Sequence, residues 1–363
     1  MGINCSLKRN HNIKAFLELV RAGLWGNGNS NLRIDGTTDW LEVYRFATEQ
    51  SVLGLVLAGL EHSEVKPPKD LLLQWIGEVQ MIERRNQAMN QFVAATVEKM
   101  SEAGAFGLLV KGSGMAQCYE RPLWRGCGDI DFFFSRSDYW KAIECLTPLS
   151  SETFQDSKFT KSYGLVINGW MIELHGTLRC GLSSKTVRET DRVQRDVFDG
   201  GDVRSWQNGK TQVFLPGVNS DLFLLFTHFV RHFYQNEFVL RQVCDWCRFL
   251  LTFREKIDFG LLEKRLRRSG LMSEWKAFAA FVVDYLGMPA EVMPLYSKEI
   301  KWHKKGEKIL NFVMLGAEKN KVKATLAICG IFPLNTVLFS PAIFFHLNRI
   351  KIKERVFGDG NHK

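Results

Sequence analysis

The 363-residue sequence predicts a mixed α/β (α+β) fold, a small mixed sheet with hairpins flanked by N-terminal and C-terminal helical lobes. Three observations predict it. A short apolar run, Leu108–Val110, meets Gly112 and Gly114 and is followed by a strand that opens Asp129-Ile130-Asp131 and continues into three phenylalanines. Two Asn-Gly pairs, Asn168-Gly169 and Asn208-Gly209, sit between strand-like runs; such pairs favour hairpin turns because both residues tolerate positive φ. On either side, apolar residues recur at helical spacing.

Residues 1–104 read as a helical lobe. Asp39 with Glu42 is placed to cap a helix over Trp40–Glu61, Pro67-Pro68 ends one element, and Asp70–Glu102 carries a long helical pattern stopped by Gly104. Residues 105–217 read as the sheet-bearing core. Strand side chains alternate faces, so Asp129 and Asp131 point one way and Ile130 the other. Two acids on one face repel, and the usual compensation is a divalent cation such as Mg²⁺, which takes carboxylates together with phosphate oxygens. Ser135 or Ser137 caps a helix to Leu146. A hairpin then runs Tyr163–Ile167, Asn168-Gly169, Trp170–His175. Glu173 lies mid-strand with Ile172 and Leu174 on the opposite face, so its charge requires a partner. Val203–Leu215 reads as a second hairpin around Asn208-Gly209.

Pro216-Gly217 marks the boundary of a C-terminal lobe, residues 218–297. Asn219 or Ser220 is placed to cap a helix from Asp221, and Phe223–Phe253 is helical throughout. His228 and His232 fall one turn apart on one face, without the third ligand that a zinc site needs. Cys244-x-x-Cys247 lies in an apolar helical pattern and reads as core. Gly287 and Pro289 stop the last helix at Leu286.

Lys111-Gly112-Ser113, Arg125 and Gly128-Asp129-Ile130-Asp131, in that order, resemble the polymerase-beta-like nucleotidyltransferase superfamily. More narrowly, the chain is similar to its large, uncharacterised bacterial nucleotidyltransferase family. The likeness spans about residues 105–180, with a longer gap than usual between Ser113 and Asp129. It implies transfer of a nucleotidyl group from a nucleoside triphosphate to an acceptor hydroxyl on a sugar, lipid-linked, protein or RNA acceptor, with Mg²⁺ (or Mn²⁺) as cofactor and pyrophosphate as product. Asp129 and Asp131 would hold the metal, with Glu173 as third carboxylate or as the group activating the hydroxyl. Gly112 and Ser113 would hold the triphosphate, and Lys111 and Arg125 would neutralise it. His175, His228, His232, Arg241 and Asp245 would line the acceptor side, a buried structural network being the alternative for the last four. Two other readings stay open: a nucleotide-binding module without turnover, and a membrane-surface adaptor.

The adaptor reading comes from the tail, residues 298–363. It holds thirteen Lys/Arg and five Asp/Glu, so nearly all of the net charge of +9 sits there. Ala324–Leu347 carries no Lys, Arg, Asp or Glu over 24 residues and has basic flanks. That length could span a bilayer, but Gly330, Pro333, Asn335, Ser340 and Pro341 interrupt it, and broken helices leave backbone groups unpaired in lipid. Residues 319–355 are therefore expected on an anionic membrane surface, the inner face of the cytoplasmic membrane; the alternative is a helical hairpin packed on the body. A nucleic-acid partner has only the charge in its favour, because few aromatics are interleaved to stack bases. Eight cysteines lack framework spacing, and Met1–Trp25 lacks a continuous apolar stretch, which together predict a reduced, cytoplasmic protein without a secretory leader.

Overall fold

Four helices lead into the sheet: α1 (Gly2–Trp25), α2 (Trp40–Glu49), α3 (Leu53–Glu61) and the 34-residue α4 (Lys69–Glu102). The structure, a computed structural model, describes residues 2–26, 32, 34–155, 162–179, 181–314 and 321–339. Asp39 caps α2 as the sequence predicts, its carboxylate accepting from the N–H groups of Leu41 and Glu42. The single helix expected over Trp40–Glu61 is two, because Ser51 at φ 56° turns the chain between α2 and α3. Helices α1 and α3 cross with their backbones in contact. A Cβ on Gly23 would meet the Leu55 carbonyl oxygen at 2.0 Å, and one on Gly59 the Leu19 oxygen at 2.0 Å. Only glycine permits that approach.

The sheet follows. β1 (Gly107–Val110) turns into the short α5 (Gly112–Ala116), then come β2 (Ile130–Phe134), α6 (Arg136–Leu146), β3 (Glu152–Gln155) and the hairpin of β4 (Ser162–Ile167) and β5 (Trp170–His175). Asn168 and Gly169 take φ 52° and 78°, as the hairpin requires. Strand order is β1-β2-β5-β4-β3, antiparallel throughout except for the parallel β2–β5 pair. That pair sets Asp131 opposite Glu173 and Phe133 opposite His175. Ile130, Phe132, Ile172 and Leu174 bury one sheet face beneath Met89 and Val93 of α4 and Tyr139 of α6. On the other face, Leu108, Val110 and Phe133 pack with Val193 and Val197 of α7 (Ser184–Phe198) and with Phe223. Apolar periodicity does not predict α7. Its inward stripe is Thr186, Glu189, Thr190, Val193 and Val197, too polar to register as an apolar face.

β6 (Val203–Asn208) and β7 (Thr211–Pro216) form the second hairpin as a separate two-stranded sheet. α8 (Val218–Gln235) has Gly217 rather than Asn219 or Ser220 at its capping position; Asn219 instead accepts from the Asp258 N–H, and Ser220 donates to Asp202. Asn236 at φ 61° ends α8, so Phe223–Phe253 is also two helices, the second being α9 (Leu240–Phe253). α10 (Phe259–Ser269) and α11 (Met272–Leu286) follow, and Gly287 at φ 68° stops the run where the sequence places the stop.

The tail contributes α12 (Ile300–Met314), α13 (Lys321–Ile331) and α14 (Pro333–Phe339). One apolar cluster joins Phe16 and Val56 near the N-terminus to Phe229, Trp246 and Trp275, and reaches Ile309, Ile328 and Phe332 of the tail. The Phe339 and Tyr234 rings lie 4.6 Å apart. The described tail therefore packs on the body. Residues 319–320 and 340–355 of the stretch assigned to a membrane lie outside the described residues, and among the described residues no helix is long and apolar enough to cross a membrane.

Candidate active site

Asp131 is the centre of the site. Strand β2 carries it inward, 2% exposed, with Oδ1 3.0 Å from Lys111 Nζ and 2.6 Å from His175 Nε2. Glu173, beside it in the parallel register, is half-buried, with Oε2 3.5 Å from His175 Nε2. Burial alone would raise the Asp131 carboxyl, but Lys111 and His175 outweigh it and hold Asp131 ionised, well below the usual carboxylate range. Burial, and then the Asp131 charge, push Glu173 the other way. Asp131, Glu173 and His175 offer ligand atoms within 4.8 Å of one another, the group among the described residues suited to an ion. Asp129 precedes the strand and is exposed; it lines the same cleft outside that group.

The turn above Asp131 is strained. Lys111 adopts φ 59° and ψ −147°, bordering a region that only glycine occupies freely, and Gly112 follows at φ 43°. Such a conformation costs about 1–3 kcal/mol and persists where the surroundings hold it, often at functional sites. Here the Lys111–Asp131 ion pair holds it. Lys111 and Gly112 face the cleft, whereas Ser113 is buried beneath them.

The cleft is divided into two chambers. The first, about 440 Å³, is lined by Gly112, Arg125, Asp129, Asp131, Arg241 and Asp245. The second, about 200 Å³, is lined by Ser162, His175, Thr177, Arg179, Asp221 and Thr227. Lys111, Glu173, Leu225, His228 and Arg231 belong to both. Of the residues the sequence groups on an acceptor side, Arg241 and Asp245 thus share a chamber with Gly112 rather than with His175. Arg125 is turned away from open space: its Nε and Nη2 meet Asp245 at 3.0 and 2.6 Å, and the Tyr119 hydroxyl donates to the same carboxylate at 2.8 Å.

His228 and His232 do meet on α8, rings edge-on with centroids 4.5 Å apart. Burial, then Lys111, takes His228 well below its ordinary value; burial, then Arg231, brings His232 to about 4. Among the described residues no third ligand joins them, and Cys244 and Cys247 are buried core thiols. Arg231 and Thr177 join the site without having been singled out by sequence pattern. Their spacing is the signal that could have found them, Arg231 three residues after His228 and Thr177 two after His175.

The histidines make stability depend on pH. Both pKa values are lower in the folded chain than the ordinary 6.5, so between about pH 6.5 and 4 the unfolded chain binds more protons and stability falls on acidification. Glu173, raised in the fold, partly opposes this. The urea midpoint is expected to drop from about pH 7 to about pH 5, and a His228→Gln, His232→Gln variant should show a shallower drop. An identical pH slope in the variant would remove the histidines from the account.

Strand, Lys-Gly turn, acidic strand and acidic hairpin thus close on one buried carboxylate at the wall of a cleft. The chain belongs to the uncharacterised nucleotidyltransferase family, which matches residues 36–287, from just before α2 to just past α11. Helices α1 and α12–α14 lie outside the match. No curated protein and no solved structure matches the chain.

Proposed function

We propose that this enzyme transfers a nucleotidyl group from a nucleoside triphosphate to an acceptor hydroxyl, with Mg²⁺ or Mn²⁺ held by Asp129 and Asp131, and with Glu173 either completing the metal site or taking the hydroxyl proton. The observation that carries the reading is the placement of Asp131 beside Glu173 under the strained Lys111-Gly112 turn. The donor set fits a hard cation: two carboxylates converge, a third stands exposed at the rim of the same cleft, and the His175 imidazole orients Asp131. When bound, such an ion neutralises triphosphate charge and makes the acceptor hydroxyl more acidic.

The protein's own groups do the rest. In the first chamber the Gly112 backbone and Lys111 face the phosphates, and the buried Ser113 lies beneath the turn. Arg125, its fork set in Asp245, shapes that chamber as one half of a buried ion pair. The acceptor oxygen attacks the α-phosphorus, the new P–O bond forms, and the bond to the β-phosphate bridge breaks so that pyrophosphate leaves. Where Glu173 stands off the metal it takes the hydroxyl proton, burial and the Asp131 charge raising its affinity for one. His175 and His228, on the wall of the second chamber, exchange hydrogen bonds with the acceptor, and His232 lines the first chamber. A cytoplasmic membrane surface is proposed as partner of the tail, supported by exposed Leu334 and Leu338 and by Lys305, which lies over the Phe332 ring at 4.8 Å.

The test is transfer itself. Protein, Mg²⁺ and each nucleoside triphosphate labelled at the α-phosphate are incubated with a membrane-containing lysate, wild type beside an Asp129→Ala, Asp131→Ala double variant. Label on a lipid, sugar, protein or RNA, with pyrophosphate release, is expected in wild type alone. Absence of both transfer and nucleotide binding would sink the proposal.

A further inference from the structure

We propose that the second chamber binds an acceptor bearing an oxyanion, a phosphate or a carboxylate, through the Arg231 guanidinium and the Thr177 hydroxyl, and presents the acceptor's hydroxyl to Glu173. This rests on the nucleotidyl-transfer reading and adds the chemical class of the second substrate.

The charges lining the chamber pair off until one remains. Lys111 is committed to Asp131 at 3.0 Å, Arg179 to Asp191 at 2.7 and 2.8 Å, and Asp221 to Arg204 at 2.8 Å. Glu173 is reserved for the metal or the proton. Arg231 is left. Among the described residues its side-chain contact is Nη2 to His232 Nε2 at 3.4 Å, and its buried Nε has no partner. Among the described residues no carboxylate lies within ion-pair distance of this guanidinium, and the imidazoles beside it stay neutral at pH 7. Thr177, only 6% exposed, likewise buries a hydroxyl without a partner.

Buried donors left unmet are costly, so these two point to a group that the ligand supplies. A planar guanidinium fork matches phosphate and carboxylate oxygens two at a time. Leu178 and Leu224 line the same chamber and offer an apolar wall to the ligand's carbon skeleton. The chamber lies across Lys111 and Glu173 from Gly112, so the anion it holds is the acceptor's and not the triphosphate's. With the anion anchored there, the hydroxyl is delivered to the wall shared by both chambers. Attack, pyrophosphate departure and proton transfer to Glu173 then balance as above.

Inorganic phosphate and acetate serve as probes, titrated calorimetrically into the full chain, alone and saturated with a non-hydrolysable triphosphate analogue and Mg²⁺. Wild type is compared with Arg231→Gln, Arg231→Lys and Thr177→Val. One anion at least is expected to bind the analogue-loaded protein. Arg231→Gln should weaken it by about tenfold or more and Thr177→Val by about threefold, with Arg231→Lys between wild type and Arg231→Gln, while analogue affinity falls by a smaller factor than anion affinity. Which anion binds assigns phosphate or carboxylate. Binding of neither overturns the proposal, and so does an Arg231→Gln variant that loses the analogue as severely as the anion, because Arg231 would then serve the triphosphate. A wild type that binds no analogue, yet binds an anion in an Arg231-dependent way, would uphold the oxyanion site and fail the nucleotide reading instead.

Discussion

Replacing Glu173 with Gln is expected to slow pyrophosphate release by about 10²–10⁴-fold, the range that a positioned proton acceptor contributes. Fold stability should hold. Glu173 sits where burial and the Asp131 charge both disfavour its ionised form, so an isosteric neutral side chain relieves repulsion instead of creating it. Asp131→Asn is different. It leaves Lys111 in its strained turn without the carboxylate that holds it, and it deprives His175 of its partner at 2.6 Å. Loss of activity there should come with a lower denaturation midpoint. The two adjacent acids are thus separable by measuring turnover and urea unfolding on the same two variants. A Glu173→Gln enzyme with wild-type turnover would remove Glu173 from the chemistry.

The second large effect concerns Arg125 and Asp245, whose side chains are 7% and 5% exposed. Arg125→Met should destabilise the fold by about 3–5 kcal/mol, since a buried carboxylate would remain with one neutral donor, Tyr119. Removing both charges, as in Arg125→Met with Asp245→Leu, should cost well below the sum of the single changes, because the penalty lies mainly in the orphaned partner. Chemical denaturation of the two single variants and the double variant reads this directly. A stable Arg125→Met protein that had lost nucleotide affinity would show instead that the guanidinium works on phosphate.

Much of this fold is legible in short stretches of the chain. Asn168-Gly169 sets its hairpin because two consecutive positive φ angles suit those residues and few others. The acidic strand and the isolated charge of Glu173 mark a site because alternation along a strand sends them away from the apolar face. Gly287 ends a helix for a reason contained within a few residues. Helix breaks at Ser51 and Asn236 were not legible, since serine seldom takes positive φ and a lone asparagine, though it tolerates it, has no glycine or proline beside it to mark a stop. Nor was α7, whose buried stripe is mostly polar.

The amino-acid order by itself determined the parts: the Lys-Gly turn, the acids, the hairpins and the runs of helix. Their rules act over a turn of helix or a few residues of strand. Tertiary structure alone decided the partners. The parallel pairing that brings Glu173 to Asp131 joins strands about forty residues apart, Arg125 meets Asp245 across 120 residues, and among the described residues Arg231 has no ion-pair partner while Lys111, Arg179 and Asp221 around it do. A charge carries no record of which distant opposite it will meet, because that depends on how the whole core packs.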